Sequence, residues 1–169
     1  MSAQARTQAG PQDQAIALTP DREIVIKRTL DAPRELVFAA WTDPKHLPHW
    51  YGPDGFTITI HEMDVRPGGV WRLTMHGPDG RDYYNNLVFC EIVPPERLVY
   101  RHVPDDRAEP VTHQTIVTFE ACGNKTDLTL RLVFDTNEAR DYAVSTYQAV
   151  EGGKQTTRRL ANYVATLAS

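Results

Sequence analysis

From Phe56 to Phe134 apolar and polar residues alternate in run after run, and the end of the chain changes to a helical period. "FTITIHEMDV" sets Phe56, Ile58 and Ile60 against Thr57, Thr59 and His61. "VWRLTMH" sets Trp71, Leu73 and Met75 against Arg72, Thr74 and His76. "RDYYNNLVFCEIV", "PPERLVYRH", "VTHQTIVTFE" and "DLTLRLVF" continue the pattern, and a period of two marks strands with one face turned inward. "KQTTRRLANYVATLA" then places Thr157, Leu160, Ala161, Val164 and Leu167 on one helical stripe. Such a helix buries its stripe by lying across one face of the sheet that precedes it. The expected class is α+β.

The segments before the sheet fit that plan. "REIVIKRTLD" alternates as a first strand, with Arg28 interrupting the face of Ile24, Ile26 and Leu30. "DAPRELVFAAWTDP" changes to a helical period, with Leu36, Val37, Ala40 and Trp41 on one side, Asp31 as candidate cap and Pro33 in the first turn. Asp43, Pro44 and Pro48 predict a brief second helix in "DPKHLPHWYG".

"DVRPGGVWRLTMHGPDGRDY" holds Pro67-Gly68-Gly69 and Gly77–Gly80. A phosphate loop needs its glycines between a strand and a helix start. These join strand to strand and no GK[ST] follows, so they read as hairpin turns. Past Phe134 a helix runs from Glu138 to about Tyr147, and Gly152-Gly153 is expected to break or loosen it.

At 169 residues with 41% hydrophobic content the chain fits one domain, taken as residues 21–169, after a mobile Gln- and Ala-rich tail over 1–20. A net charge of −4 argues against nucleic acid. No apolar run reaches the roughly 18 residues of a membrane span. The N-terminal stretch lacks a cationic region followed by an apolar one, so it does not read as a secretory signal. Cys90 and Cys122 read as two reduced thiols, which points to the cytoplasm.

Taken together, "APRELVFAAWTDPKHLPHWYGPDGF", "DVRPGGVWRLTMHGPDG", "EIVPPERLVY" and "EGGKQTTRRLANYVATLA" resemble, in order and spacing, the START-like SRPBCC superfamily. The most similar branch is named after the C-terminal domain of the heat-shock-protein-ninety ATPase activator. The resemblance covers roughly Arg22 to Ala168. It implies a helix-grip fold: a strand, two small helices, six more strands in a curved sheet, and a long C-terminal helix gripped by that sheet. It also implies a cavity between helix and sheet, which in the superfamily takes sterols, lipids, polyketides or plant hormones. In similar sequences an aromatic often follows the first glycine of the pair; Gly153 stands there, which implies a removed wall.

Residue chemistry narrows the reading. The only serines are Ser2, Ser145 and Ser169, with no GxSxG. Cys90 shares a strand face with Val88 and Ile92 and is expected to be buried and unreactive. His46 and His49 form an HxxH interrupted by Pro48, and His61-Glu62 lacks the second histidine of a zincin, so no metal and no cofactor are expected. Glu91 is placed to pair with Arg97. Asn85, His102 and His113 each interrupt an apolar strand face, the pattern of polar anchors in a mostly apolar pocket. Trp50, Phe56, Trp71, Met75, Tyr83, Phe89 and Tyr147 are its candidate walls, with Gly153 at one end.

Three readings follow. The preferred one is a binding protein for a small apolar or aromatic, lipid- or polyketide-like molecule. A cyclase, dehydratase or hydrolase would use His102 or His113 to move a proton in the same cavity. A protein-interaction module would instead offer an exposed patch to a chaperone or to a second copy in a homodimer.

Overall fold

Alternation over residues 23–134 becomes a seven-stranded curved antiparallel sheet in the order β1-β7-β6-β5-β4-β3-β2. The computed structural model describes residues 20–104 and 113–169, so the stretch read as a tail lies outside it except for Pro20. The strands are β1 (Glu23–Leu30), β2 (Thr57–Met63), β3 (Val70–His76), β4 (Asp82–Val93), β5 (Arg97–His102), β6 (His113–Cys122) and β7 (Lys125–Phe134). Between β1 and β2 lie α1 (Arg34–Thr42) and a 3-10 turn at Leu47–His49; α2 (Asn137–Tyr147) and α3 (Ala149–Ala168) close the chain. This is the expected helix-grip plan.

Its core is one apolar layer between the inner sheet face and the helices. Val37, Phe38, Ala40 and Trp41 of α1 and Leu160 and Val164 of α3 meet inward residues of all seven strands, such as Ile26, Leu73, Leu98 and Leu130. Trp41, Trp50, Trp71, Phe89 and Tyr100 form its aromatic centre, with Trp71 stacked on Phe89 at 5.7 Å and edge-on to Tyr100 at 5.3 Å. Each buried aromatic removes a large apolar surface from water, and their edge-to-face contacts add to that burial.

Two polar interruptions are absorbed by the fold. Arg28 reaches from β1 to α3, where Nε donates to Thr157 Oγ1 at 3.1 Å and Nη2 to the Lys154 carbonyl at 3.3 Å. Glu91 pairs with Arg97 at 3.1 Å, as expected.

Elsewhere the structure corrects local expectations. Asp31 does not cap α1: Pro33 holds that position without a side-chain bond, and Asp31 pairs with Lys125. The brief second helix is the 3-10 turn, entered at Asp43, whose Oδ1 accepts from the Lys45 N–H. Leu167 is 38% exposed, beyond the reach of the sheet.

The glycine pair does not break the helix. The break falls earlier, at Gln148, which adopts φ 52 and ψ 50 between α2 and α3. Its N–H caps the carbonyl of Ala143, the usual use of a left-handed residue after a helix. Gly152 and Gly153 lie inside α3 because the helix passes close to its neighbours there. A Cβ on Gly153 would sit 2.2 Å from Ile26 Cδ1 on β1, and one on Gly152 would touch Pro53 at 3.4 Å.

Cys90 is exposed, not buried. The β4–β5 register slips between Phe89 and Glu91, so strict alternation ends at that bulge. Leu87 and Phe89 point inward before it, Ile92 packs inward after it, and Cys90 is left outside.

A cavity beneath the helix elbow, the candidate functional site

Several element ends meet at one edge of the core and leave a cavity of about 330 Å³. Met75 closes β3, Tyr83 and Asn85 open β4, His102 ends β5, His113 begins β6, and Leu132 and Phe134 end β7. Ala143, Thr146 and Tyr147 of α2 cover it together with Gln148 and Ala149 at the elbow. Pro53 and Phe56, from the loop before β2, complete the wall. The space therefore lies under the α2–α3 junction, while the second turn of α3 packs directly on β1 at Gly153.

That loop is fastened from α3. Arg159 Nη1 donates to the carbonyls of Gly52 at 2.8 Å, Pro53 at 2.9 Å and Phe56 at 3.3 Å. The Asp54 N–H donates to Gln155 Oε1 at 3.1 Å, and the Asp54 carboxylate pairs with Arg158. Gly52, at φ 108, brings the loop close against Met75 and Phe56, where an added Cβ would stand 3.1 Å and 3.2 Å from them. Phe56, Tyr83 and Tyr147 then pack ring against ring along one wall, at 5.8 and 6.3 Å in turn, and Tyr142 backs Tyr147 at 5.7 Å.

The polar floor is small and ordered. His102 and His113 stack at 4.1 Å with 26° between their planes, and Phe134 covers His113 at 4.9 Å. Asn85 Nδ2 donates to the Tyr83 carbonyl at 3.1 Å, which turns Asn85 Oδ1 toward His102 Nε2 at 2.9 Å. This orientation assigns the His102 proton to Nε2 and leaves Nδ1 a bare acceptor. The Nδ1 atoms of both rings are buried and have no hydrogen-bond partner among the described residues. Burial holds the His102 imidazolium well below its usual range, and neighbouring His113 and Arg101 push it the same way. Burial, then Arg101, lowers His113 to about 4 against the opposing pull of Asp135. Both rings are neutral at pH 7.

The polar-interruption signal in the sequence finds this floor, and Phe56, Met75, Tyr83 and Tyr147 stand on its walls. Trp50, Trp71 and Phe89 do not: each is 1% exposed or less and belongs to the aromatic centre of the core. Gly153 is not a wall either, since it faces Ile26. Sequence reasoning missed Leu132 and Phe134, although they continue the inward face of Leu128 and Leu130 on β7. It also missed Ala143, Thr146, Gln148 and Ala149, because the elbow was expected at the glycine pair.

The remaining histidines have other occupations. His46 Nδ1 lies 2.7 Å from Tyr163 Oη and His49 stacks on the same ring at 5.1 Å, so the HxxH grips α3. His61 meets Thr74 Oγ1 at 2.7 Å, and His76 bridges Thr59 and Asp82. Among the described residues no group of three or more His, Cys, Asp or Glu side chains is placed to hold a metal. Among them, too, no helix is long and apolar enough to cross a membrane.

Solved structures share this architecture. A crystal structure of a Nitrosomonas europaea protein is 23% identical, covering 86% of this chain and 96% of that one, with a TM-score of 0.75. A solution structure of an Arthrobacter aurescens protein is 24% identical, covering 86% and 87%, with a TM-score of 0.78. A Chromobacterium violaceum protein is 28% identical over 85% and 96%, with a TM-score of 0.72. No curated protein matches the chain. Residues 31–165 match the family described as Activator of Hsp90 ATPase homolog 1-like protein. That span runs from the approach to α1 into the last turns of α3, and the chain belongs to this family.

Proposed function

We propose that the chain is a binding protein that holds a small aromatic or apolar molecule beneath the α2–α3 elbow. The observation that carries this reading is the cavity of about 330 Å³ with aromatic walls and an Asn85–His102 hydrogen bond at its floor. Small-molecule sites occupy roughly 300–1,000 Å³ and combine apolar walls with a few placed polar groups. This one suits a ligand of roughly two or three rings. Each Å² of apolar surface it buries contributes roughly 25 cal/mol before ordering costs.

Two alternatives have less support. A proton-moving enzyme works best with a base whose pKa lies near the operating pH. His113, at about 4, is far below it, and His102 is shifted in the same direction. A face for a chaperone or a second copy needs contiguous exposed apolar surface. The exposed large apolar side chains among the described residues are Val25, Val65, Val93, Tyr142 and Leu167, spread over β1, the β2–β3 turn, β4, α2 and α3.

Calorimetric titration with 2-naphthol, a neutral bicyclic probe, tests the reading against two filled cavities. Ala143→Leu adds volume at a buried wall position, and Thr146→Trp adds a ring at an exposed rim position that the fold does not depend on. Each variant is expected to weaken binding by about tenfold or more while its circular dichroism is unchanged. Undiminished affinity in both folded variants would place the probe elsewhere and end the proposal.

A further inference from the structure

One wall of the cavity is attached differently from the rest. Most lining residues sit in strands, in α2 or at the first residue of α3. Gln148 lies between the two helices, but its N–H is bonded to the Ala143 carbonyl and its carbonyl to the Gly152 N–H. Pro53 and Phe56 have no such support. Over residues 52–56 the one backbone–backbone bond among the described residues is internal, from the Phe56 N–H to the Pro53 carbonyl at 3.1 Å. The polar fastenings of this loop are side chains of α3: Arg159 on three of its carbonyls, and Gln155 and Arg158 on Asp54. Positions 155, 158 and 159 stand three and four apart, so one helical face carries all of them. The loop begins at Gly52, φ 108, and turns again at Gly55, φ 84, two residues that absorb backbone rotation easily. It also stands at the mouth. Thr146 and Gln148 are the exposed lining residues, and beside them Pro53 lies against Gly152 of α3.

We propose that residues 52–56 form a strap that swings outward to admit the occupant, with Asp54 clasped by Gln155 and Arg158, and Arg159 as the deeper anchor. The proposal rests on the binding reading above and goes beyond it by assigning the entry route and the residues that set its rate. The clasp is the weaker part: the Arg158 and Asp54 side chains are 46% and 50% exposed, and water replaces such bonds at little cost. Opening there frees a segment that carries two wall residues and leaves every strand ladder intact, which is how low-energy local opening arises. Asp54, Gln155 and Arg158 do not themselves line the cavity. They therefore act on passage through the mouth, while the walls set the affinity.

Stopped-flow fluorescence with 2-naphthol, uncharged at neutral pH, measures both rates. Asp54→Asn and the double variant Gln155→Ala with Arg158→Gln are expected to speed association and dissociation alike, by about fivefold, with Kd unchanged within about twofold. Raising salt from about 20 mM to about 500 mM is expected to speed exchange in the wild-type protein and to do so much less in Asp54→Asn, because screening then acts on the clasp and not on the probe. Lys125→Gln is the control: it removes an equally exposed ion pair, to Asp31, away from the cavity, and is expected to leave both rates at their wild-type values. The proposal is overturned if both clasp variants exchange at the wild-type rate, or if Lys125→Gln accelerates exchange as much as they do. It is also overturned if the clasp variants alter Kd with association unchanged, since the three residues would then support the bound state. Should 2-naphthol not bind the wild-type protein, the cavity reading falls and the strap with it. If it binds, Ala143→Leu abolishes that binding, and the clasp variants leave the rates unmoved, the site stands and only the entry route is lost.

Discussion

Gly69→Ala is expected to cost the fold about 3 kcal/mol, a large single-residue effect for a position in a turn. A Cβ at Gly69 would lie 1.9 Å from the Asp64 carbonyl oxygen and 2.9 Å from that of Arg66. Both obstacles are backbone, so neither rotates aside as a side-chain tip would. The turn cannot open without loss, because the Asp64 N–H donates to the Val70 carbonyl at 2.9 Å and the Gly69 N–H to that of Arg66 at 2.8 Å. Gly68 and Gly69 are also tied to β4 through the Phe89 carbonyl at 2.8 Å and the Phe89 N–H at 2.9 Å. Relieving the clash therefore disturbs the β3–β4 edge where Trp71 and Phe89 stack. Urea or thermal unfolding followed by circular dichroism measures the loss, about 10 °C in midpoint for a chain of this size. Gly68→Ala is the control: nothing lies within 4 Å of its added Cβ, so only the strain of its φ of 83 remains. That strain is worth about 1 kcal/mol. Equal losses at the two glycines would refute the steric account.

The same turn shows what a linear reading recovers. Pro67-Gly68-Gly69 is recognisable as a hairpin turn because only small residues accept such a bend, and the strands on either side announce themselves by alternation. Alternation is a local rule, however, and one extra residue reverses it. At the bulge between Phe89 and Glu91 nothing in "LVFCEIV" marks the slip, so Cys90 looked like an inward residue and is an outward one. The α2–α3 junction misled for the opposite reason. Gly152-Gly153 carries the strongest local breaking signal, yet those glycines are needed for close approach to Ile26 and Pro53. Packing of α3 on β1 keeps the helix continuous through them, and the break moves to Gln148, whose side chain gives no warning.

The site was legible wherever polarity contradicted its surroundings. Asn85, His102 and His113 stood out because a polar side chain on an apolar strand face must find a partner or a cavity. Arg28 gave the same signal and found its partners on α3. Large aromatics carried no such contradiction, so Trp50, Trp71 and Phe89 could not be told from Tyr83 or Phe56 by type alone. What separates them is distance along the strand. Trp71 and Phe89 sit away from the cavity end of the sheet, while Met75, Tyr83 and Asn85 lie where β3 finishes and β4 begins.

The buried imidazoles make stability depend on pH in a defined direction. In the unfolded chain a histidine titrates near 6.5; in the fold His113 titrates at about 4 and His102 is lowered further from its usual value than an exposed ring would be. Above about pH 6.5 both states are neutral at these rings and stability is at its full value. Between there and about pH 4 the unfolded chain binds protons that the folded one refuses, so stability falls as pH falls. For His113 alone the loss between about pH 7 and about pH 5 comes to about 2 kcal/mol, and His102 adds in the same direction. Arg101 opposes protonation of both rings, and Asp135, paired with Arg101 at 2.7 Å, partly offsets it at His113. Carboxylates also begin to titrate at the acid end of this window, so the informative quantity is a difference between proteins. His113→Phe keeps a flat ring against His102 and Phe134 and removes one titrating group. Its unfolding free energy is expected to fall less steeply from pH 7 to pH 5 than that of the wild-type protein, by about 2 kcal/mol over the interval. Parallel curves for the two proteins would mean that His113 takes up its proton inside the fold, and a neutral, accepting floor would then be the wrong description of the cavity.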